Sequence, residues 1–494
     1  MKLPTLSSDP VAALSRIGMA VGDYLTPTIR LGVTGLSRSG KTVFITGLVR
    51  SLSGASPQPP FKNVDRIAGF RAYLEPQPDD DIPRFAYEEH LAALSSDPPV
   101  WPESTRKISQ LRLTLEWPAQ DAIRGAFGLT QRLHIDIVDY PGEWLIDLGL
   151  LGRSFEEWSA EALFTAESRG LELYAKDFLA FLARSDIAGP LDEQVAIEGA
   201  KIYTDYISRA RRADSSRAAL GPGRFLLPGD LEGSPQLTFF PARKAAVEAT
   251  TARRGPTTGD LLARRFEKYK QNVVQPFFEK HFSRLDRQIV LIDTLSALNG
   301  GGEALANLEQ GLDGVMRAFR PGANSWLSFL LARRIDRIVF AATKADHIHH
   351  TSHDRLEAIL EKAVSRASQR ASSAGAGLRC IALAALRATE DVDRRAGDST
   401  YHCIRGVPIA GEKVDSRLFD GTRAAVVFPG DLPADPLDAF EPSKATPESY
   451  RFVRFRPPLL KDNGGEAGKD DSRNIWPHIG LQRAFAFLFE DQLP

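Results

Sequence analysis

The chain has 494 residues, 43% of them apolar and 25% charged, a balance that fits a folded globular protein and excludes a disordered or fibrous one. At that length a single hydrophobic core stops growing, so roughly two or three domains are expected. The 62 basic and 63 acidic side chains nearly cancel, which removes the general electrostatic case for nucleic acid or an anionic membrane surface; any partner has to be found locally.

Cys380 and Cys403 are the two cysteines, too few for a disulfide framework and consistent with a reducing, cytoplasmic setting. The opening stretch MKLPTLSSDPVAALSRIGMAVGDYL breaks its apolar positions with Asp9, Arg16 and Asp23, so no signal-peptide core is expected. No window reaches the roughly 18 uninterrupted apolar residues of a membrane helix. Val11, Leu14, Ile17 and Val21 recur near helical spacing. They predict an amphipathic extension over residues 1–29 that packs on the domain, with peripheral membrane or partner contact as the alternative.

Short apolar runs predict strands at Arg30–Thr34, Gln110–Trp117, Leu133–Asp139, Gln288–Asp293, Arg337–Ala342 and Leu378–Ala384. QLRLTLEW alternates as an edge or antiparallel strand does; the others are mostly continuous, as buried parallel strands are. Helical periodicity covers Lys41–Ser53, Glu303–Phe319 and Asp354–Ser373. The alternation predicts an α/β fold with a mainly parallel sheet over residues 30–150 and 288–494. Residues 151–287 show no convincing core strand and read as a large, mainly helical insertion domain.

Between the first strand and the first helix, Gly35-Leu36-Ser37-Arg38-Ser39-Gly40-Lys41-Thr42 matches the phosphate-loop pattern G-x-x-x-x-G-K-[ST] in full, with Val43 continuing into the helix. Glycines let the backbone curl so that N–H groups converge, and the helix N-terminus adds a favourable field for an anion. Lys41 is expected on the outer phosphates and Thr42 on Mg²⁺. The next strand ends in Asp139-Tyr140-Pro141-Gly142, a D-x-x-G pattern. Asp139 is the expected magnesium acid and Gly142 the terminal-phosphate sensor. Asp293 also ends an apolar strand and competes for the magnesium role.

Thr343-Lys344-Ala345-Asp346 follows the [NT]-K-x-D pattern. A carboxylate there accepts two hydrogen bonds from guanine, whereas adenine offers no matching donor pair; Lys344 would pack its stem over the base. Read blandly, Asp346 is a helix cap. Ala384-Ala385-Leu386 is the candidate last loop, expected to touch the base through backbone N–H groups, although it departs from the Ser-Ala-Lys/Leu usual in GTPases. Glu143 takes the place where relatives of this fold keep a water-orienting glutamine, and its negative charge predicts slow basal turnover. Thr105 is the candidate switch threonine over Mg²⁺, and Arg38 faces either the nucleotide or solvent. His347, His349, His350 and His353 read as solvated or capping residues, Cys380 as a core residue, and SRARRADSSR from Ser208 as a solvated helix end.

These motifs stand in Ras-like GTPase order. VTGLSRSGKTVFITGLV, IVDYPGEWLIDLGLL, RQIVLIDTLSALNGG, ATKADHIHH and WPHIGLQRAFAFLFEDQLP resemble the YcjX-like family of bacterial P-loop NTPases nearly end to end. The resemblance implies a Ras-like nucleotide-binding domain with an additional helical region, GTP and GDP as substrate and product, and a link to envelope or stress responses. The expected activity is slow GTP hydrolysis with Mg²⁺, switching a protein partner through the helices. An ATPase, or a nucleotide-stabilised interaction protein with negligible turnover, are the alternatives. A P-loop kinase would need an acceptor pocket and an arginine-rich lid, and the sequence offers neither.

Overall fold

The computed structural model describes residues 26–35, 38–53, 67, 69–103, 107–119, 129–168, 170–213, 220–243, 255–317, 335–373, 375–414, 416–446, 449–460 and 476–494. The predicted N-terminal amphipathic helix lies outside them, as do Thr105, Leu36 and Ser37. Among the described residues no helix is long and apolar enough to cross a membrane.

A seven-stranded sheet forms the centre, in the order β2-β3-β4-β1-β5-β6-β7. Its strands are β1 (Thr28–Gly35), β2 (Arg71–Glu75), β3 (Ser109–Pro118), β4 (Thr130–Asp139), β5 (Arg287–Ile292), β6 (Arg337–Thr343) and β7 (Gly377–Leu383). From β4 to β7 every neighbouring pair is parallel. The alternating strand β3 is antiparallel to both its neighbours and therefore lies one place inside the edge, which β2 occupies.

Helices cover both faces because the parallel strands are apolar on both. On one face Leu31, Val33, Ile289 and Leu291 pack with Phe44 and Leu48 of α1 (Lys41–Ser53) and with Phe485 and Leu488 of the C-terminal helix Leu481–Phe489. On the other, Val290, Ile292, Ile338 and Phe340 meet Leu295, Leu305, Leu356 and Ile359 from the helices that follow β5 and β6. Successive β5 residues thus serve opposite layers, as the period of two requires. The predicted helix Asp354–Ser373 is two, His353–Ala363 and Ser365–Ser373, interrupted at Val364. A hairpin of β8 (Glu390–Ala396) and β9 (Ser399–Gly406) follows β7 and belongs to a separate three-stranded sheet.

Between β4 and β5 the described chain is helical. After α2 (Tyr87–Ser95) come α3 (Glu143–Leu148), α4 (Phe155–Ala166), α5 (Glu172–Arg184), α6 (Glu193–Ala213), the single turn α7 (Gly223–Leu226), α8 (Thr258–Tyr269) and α9 (Gln275–Lys280). Their core is aromatic: Trp158 stacks on Phe266 with centroids 5.1 Å apart, and Phe178 on Tyr206 at 6.2 Å. Val138 and Tyr140, at the end of β4, belong to the same core, so it begins on the sheet.

One buried carboxylate ties this layer together. Asp147 of α3 accepts from the backbone N–H groups of Gly223 (2.7 Å) and Arg224 (3.2 Å) and from the Tyr269 hydroxyl (2.7 Å). Gly223 has to be glycine, since a Cβ there would lie 1.9 Å from the Glu143 carbonyl oxygen. Burial pushes the Asp147 carboxyl up to about 6, against the lowering effect of its three donors.

A carboxyl whose folded pKa is raised binds a proton more tightly when folded, so its contribution is complete below its unfolded pKa, about 4, and is lost as pH rises through about 6. The Tm advantage of wild type over Asp147→Asn is therefore expected to be greatest near pH 4 and to shrink by pH 7, an effect worth up to about 3 kcal/mol. Thermal melts of both proteins across that range check it; an advantage that grows with pH contradicts the buried-proton account.

Candidate nucleotide site

Because β4, β1, β5, β6 and β7 run parallel, the loops leaving them emerge at one edge of the sheet. In such sheets ligands bind beyond the carboxyl ends of the strands. Asp139 pairs in register with Val33, two residues before Gly35, and Thr343 with Leu383. Gly35, Arg38–Thr42, Asp139–Gly142, Asp293, Thr343–Asp346 and Ala384–Leu386 therefore share that edge.

The phosphate loop is built by backbone conformation. Arg38 (φ 66°) and Gly40 (φ 91°) are left-handed, and α1 begins directly after them. A Cβ on Gly35 would lie 2.2 Å from Ser39 Oγ and 2.6 Å from the Leu291 carbonyl oxygen, so the strand exit requires glycine. Lys41 Nζ donates to the Gly35 carbonyl at 2.8 Å, which holds the ammonium across the loop. Ser39 is buried, and its Oγ meets no protein hydrogen-bond partner among the described residues. Val43 packs against the cluster of Leu94, Leu386 and Trp476. A left-handed turn, a helix N-terminus, a cation and a buried hydroxyl suit an oxyanion such as phosphate.

The Thr42 hydroxyl and the Asp139 carboxylate, 7% and 1% exposed, are hard oxygen donors of the kind a small divalent cation takes. Asp293 is otherwise committed. One of its oxygens caps the helix Thr294–Asn299 by accepting from Ser296 N–H at 3.1 Å, and the other pairs with Lys344 Nζ. Burial would raise its pKa, but the Lys344 ammonium and the Ser296 bonds overcome that and hold it below the usual carboxylate range. Lys344 is itself left-handed (φ 61°).

Asp346 is buried, and its carboxylate accepts from Ala388 N–H at 2.8 Å while its carbonyl accepts from the Thr389 hydroxyl. Sequence reasoning missed these two residues because nothing in ALRATED marks a loop folded back on the Thr343–Asp346 segment. Ala384 exchanges both its backbone bonds with Ile479, at 3.0 and 2.8 Å, and the Ala385 carbonyl accepts from Trp476 Nε1 at 2.5 Å. The Ala384 N–H, expected on the base, is thus given to Ile479.

Gly142 is the N-cap of α3, and Glu143 is 3% exposed, with Arg211 Nη2 3.3 Å from its carboxylate. The structure places the predicted water-orienting group in an ion pair with α6. Cys380 is pushed up to about 12 by burial, in keeping with a core thiol.

The sequence profile of the YcjX-like family, DUF463, matches residues 29–493. A protein of Escherichia coli (strain K12) named Ras-like GTPase YcjX is 35% identical over 474 residues, covering 94% of this chain and 96% of that protein. A protein of Shewanella oneidensis with the same name is 32% identical over 482 residues, covering 94% of each.

Removing the Asp346 carboxylate takes the acceptor from Ala388 N–H, a charge-assisted bond worth about 1.5–3 kcal/mol. In Asp346→Ala, hydrogen exchange of the Ala388 amide is expected to speed up by at least roughly tenfold, while that of α4–α6 stays unchanged. Unaltered protection at Ala388 would show that another contact holds this loop.

Proposed function

Since this chain belongs to the YcjX-like family, we propose that it is a guanine-nucleotide-binding P-loop protein that hydrolyses GTP slowly in the presence of Mg²⁺, and that the helices between β4 and β5 form an insertion module reading the nucleotide state. The observation that carries this is the convergence of the phosphate loop, the D-x-x-G segment and the T-K-x-D segment on one edge of parallel strands.

In this reading Gly35 to Val43 cradle the phosphates and Lys41 neutralises the outer ones. Thr42 and Asp139 hold Mg²⁺, with Thr105 as a further ligand. Bound there, Mg²⁺ offsets charge on the phosphate oxygens. Thr343, Lys344 and Asp346 select guanine, supported by Ala385 and Leu386, with the Ala384 N–H held by Ile479. The Glu143–Arg211 ion pair favours slow turnover, because it occupies the carboxylate that would orient water. Coupling to the helices would run through α3: Gly142 starts it, and Asp147, one turn on, grips α7 and α8. The relatives' names favour GTP over ATP; the Ala388 contact of Asp346 suits the ATPase alternative, in which this carboxylate only holds a loop.

Purified chain with Mg²⁺ is expected to turn over GTP on the order of 10⁻⁴ to 10⁻² s⁻¹, faster than ATP, with a loss of at least about a hundredfold in Lys41→Ala. Faster ATP turnover would overturn the base assignment. Hydrogen exchange across 151–287 should change between GDP and a non-hydrolysable GTP analogue; identical exchange would refute the switch.

A further inference from the structure

The turn after β6 and the β8–β9 hairpin bring together three side chains from distant parts of the sequence. His349 lies in the turn, and Asp393 and His402 face each other in register across the hairpin. His402 Nδ1 is 2.8 Å from Asp393 Oδ1, and His349 Nε2 is 3.6 Å from the same oxygen. The two imidazoles stack with centroids 4.8 Å apart and planes 29° from parallel. One donor atom from each residue lies within 4.8 Å of the other two.

We propose that His349, Asp393 and His402 bind a divalent transition-metal ion, with Zn²⁺ the best match to two imidazoles and a carboxylate. Tetrahedral Zn²⁺ at about 2.0–2.1 Å from each donor sets donor–donor edges near ~3.3 Å, between the two separations measured from Asp393 Oδ1. Water would complete the coordination, since Asp393 and His402 are 60% and 40% exposed while His349 is 4% exposed.

The surroundings of His349 suit ligation. His349 Nδ1 accepts from Thr351 N–H at 3.4 Å and lies 3.0 Å from Thr351 Oγ1. Ligation through Nε2 would put the ring proton on Nδ1, exchanging the long bond from Thr351 N–H for donation to Thr351 Oγ1, the kind of outer-shell bond that commonly fixes a ligating histidine. A second set, His349 with His350 and Asp391, is less suitable: Asp391 Oδ2 already accepts from Arg387 at 2.7 Å and its Oδ1 from His350 N–H at 3.1 Å. A metal at the first set would staple the hairpin to the turn that follows the Thr343–Asp346 segment. The inference does not depend on which nucleotide binds, or on whether one does.

The test uses untagged full-length chain, stripped with EDTA, dialysed, and titrated calorimetrically with ZnCl₂ in excess Mg²⁺ so that the Thr42 and Asp139 oxygens do not contribute. One Zn²⁺ per chain at micromolar or tighter Kd is expected, with a Zn²⁺-dependent rise in Tm. His402→Ala and Asp393→Ala should weaken binding at least tenfold while matching the wild-type Tm in EDTA, and His350→Ala should bind as wild type does. No binding at micromolar Zn²⁺, wild-type affinity in His402→Ala, or an equal loss in His350→Ala would each overturn the assignment.

Discussion

The parallel alignment of β4, β1, β5, β6 and β7 is the constraint from which the rest follows. A parallel strand must be buried on both faces, so each demands a covering layer, and the helices between successive strands supply it. The same alignment sends every strand exit to one edge. Residues separated by hundreds of positions, such as Gly35 and Asp346, share that edge. Chemistry at the edge then depends on which short loops leave the strands.

Two kinds of residue hold those loops. Conformational residues do the first part: Gly35, Arg38 and Gly40 turn the chain at the end of β1, and left-handed Lys344 turns it after β6. Buried carboxylates do the second. Asp293 joins its own helix to Lys344, Asp346 joins the base motif to Ala388, and Asp147 joins α3 to α7 and α8. A buried charge is costly to desolvate; Asp293 and Asp147 are each met by more than one donor, and Asp346 by the Ala388 N–H. α3 is therefore a short element with the D-x-x-G segment at one end and the grip on the helical layer one turn later.

Much of this was legible in the sequence. The apolar runs of β1, β4, β5, β6 and β7 stand out because strands buried on both faces admit almost no polar interruption, and the phosphate loop stands out because its glycines are demanded by backbone geometry. β2 escaped because Arg71–Glu75 is short, half-buried and flanked by proline and acidic loops. The β8–β9 hairpin escaped because DVDRRAGDSTYHC is charged and exposed, with little apolar periodicity to read. That omission also hid His402 and Asp393 from the histidines near 349, which read as solvated or capping residues when considered alone. The pairing of Glu143 with Arg211 and the fold-back of Ala388 are tertiary facts with no local signal.

In the proposed function Asp346 recognises guanine at the shared edge. The most direct measurement is equilibrium binding of fluorescent GDP, ADP and xanthosine diphosphate, with Mg²⁺, to wild type and to Asp346→Asn. The account predicts tight GDP binding by the wild type, a loss of at least roughly a hundredfold in the variant, and recovery with the xanthine nucleotide, whose extra carbonyl accepts from the new amide. ADP binding equal to or better than GDP, and indifferent to Asp346→Asn, would contradict it.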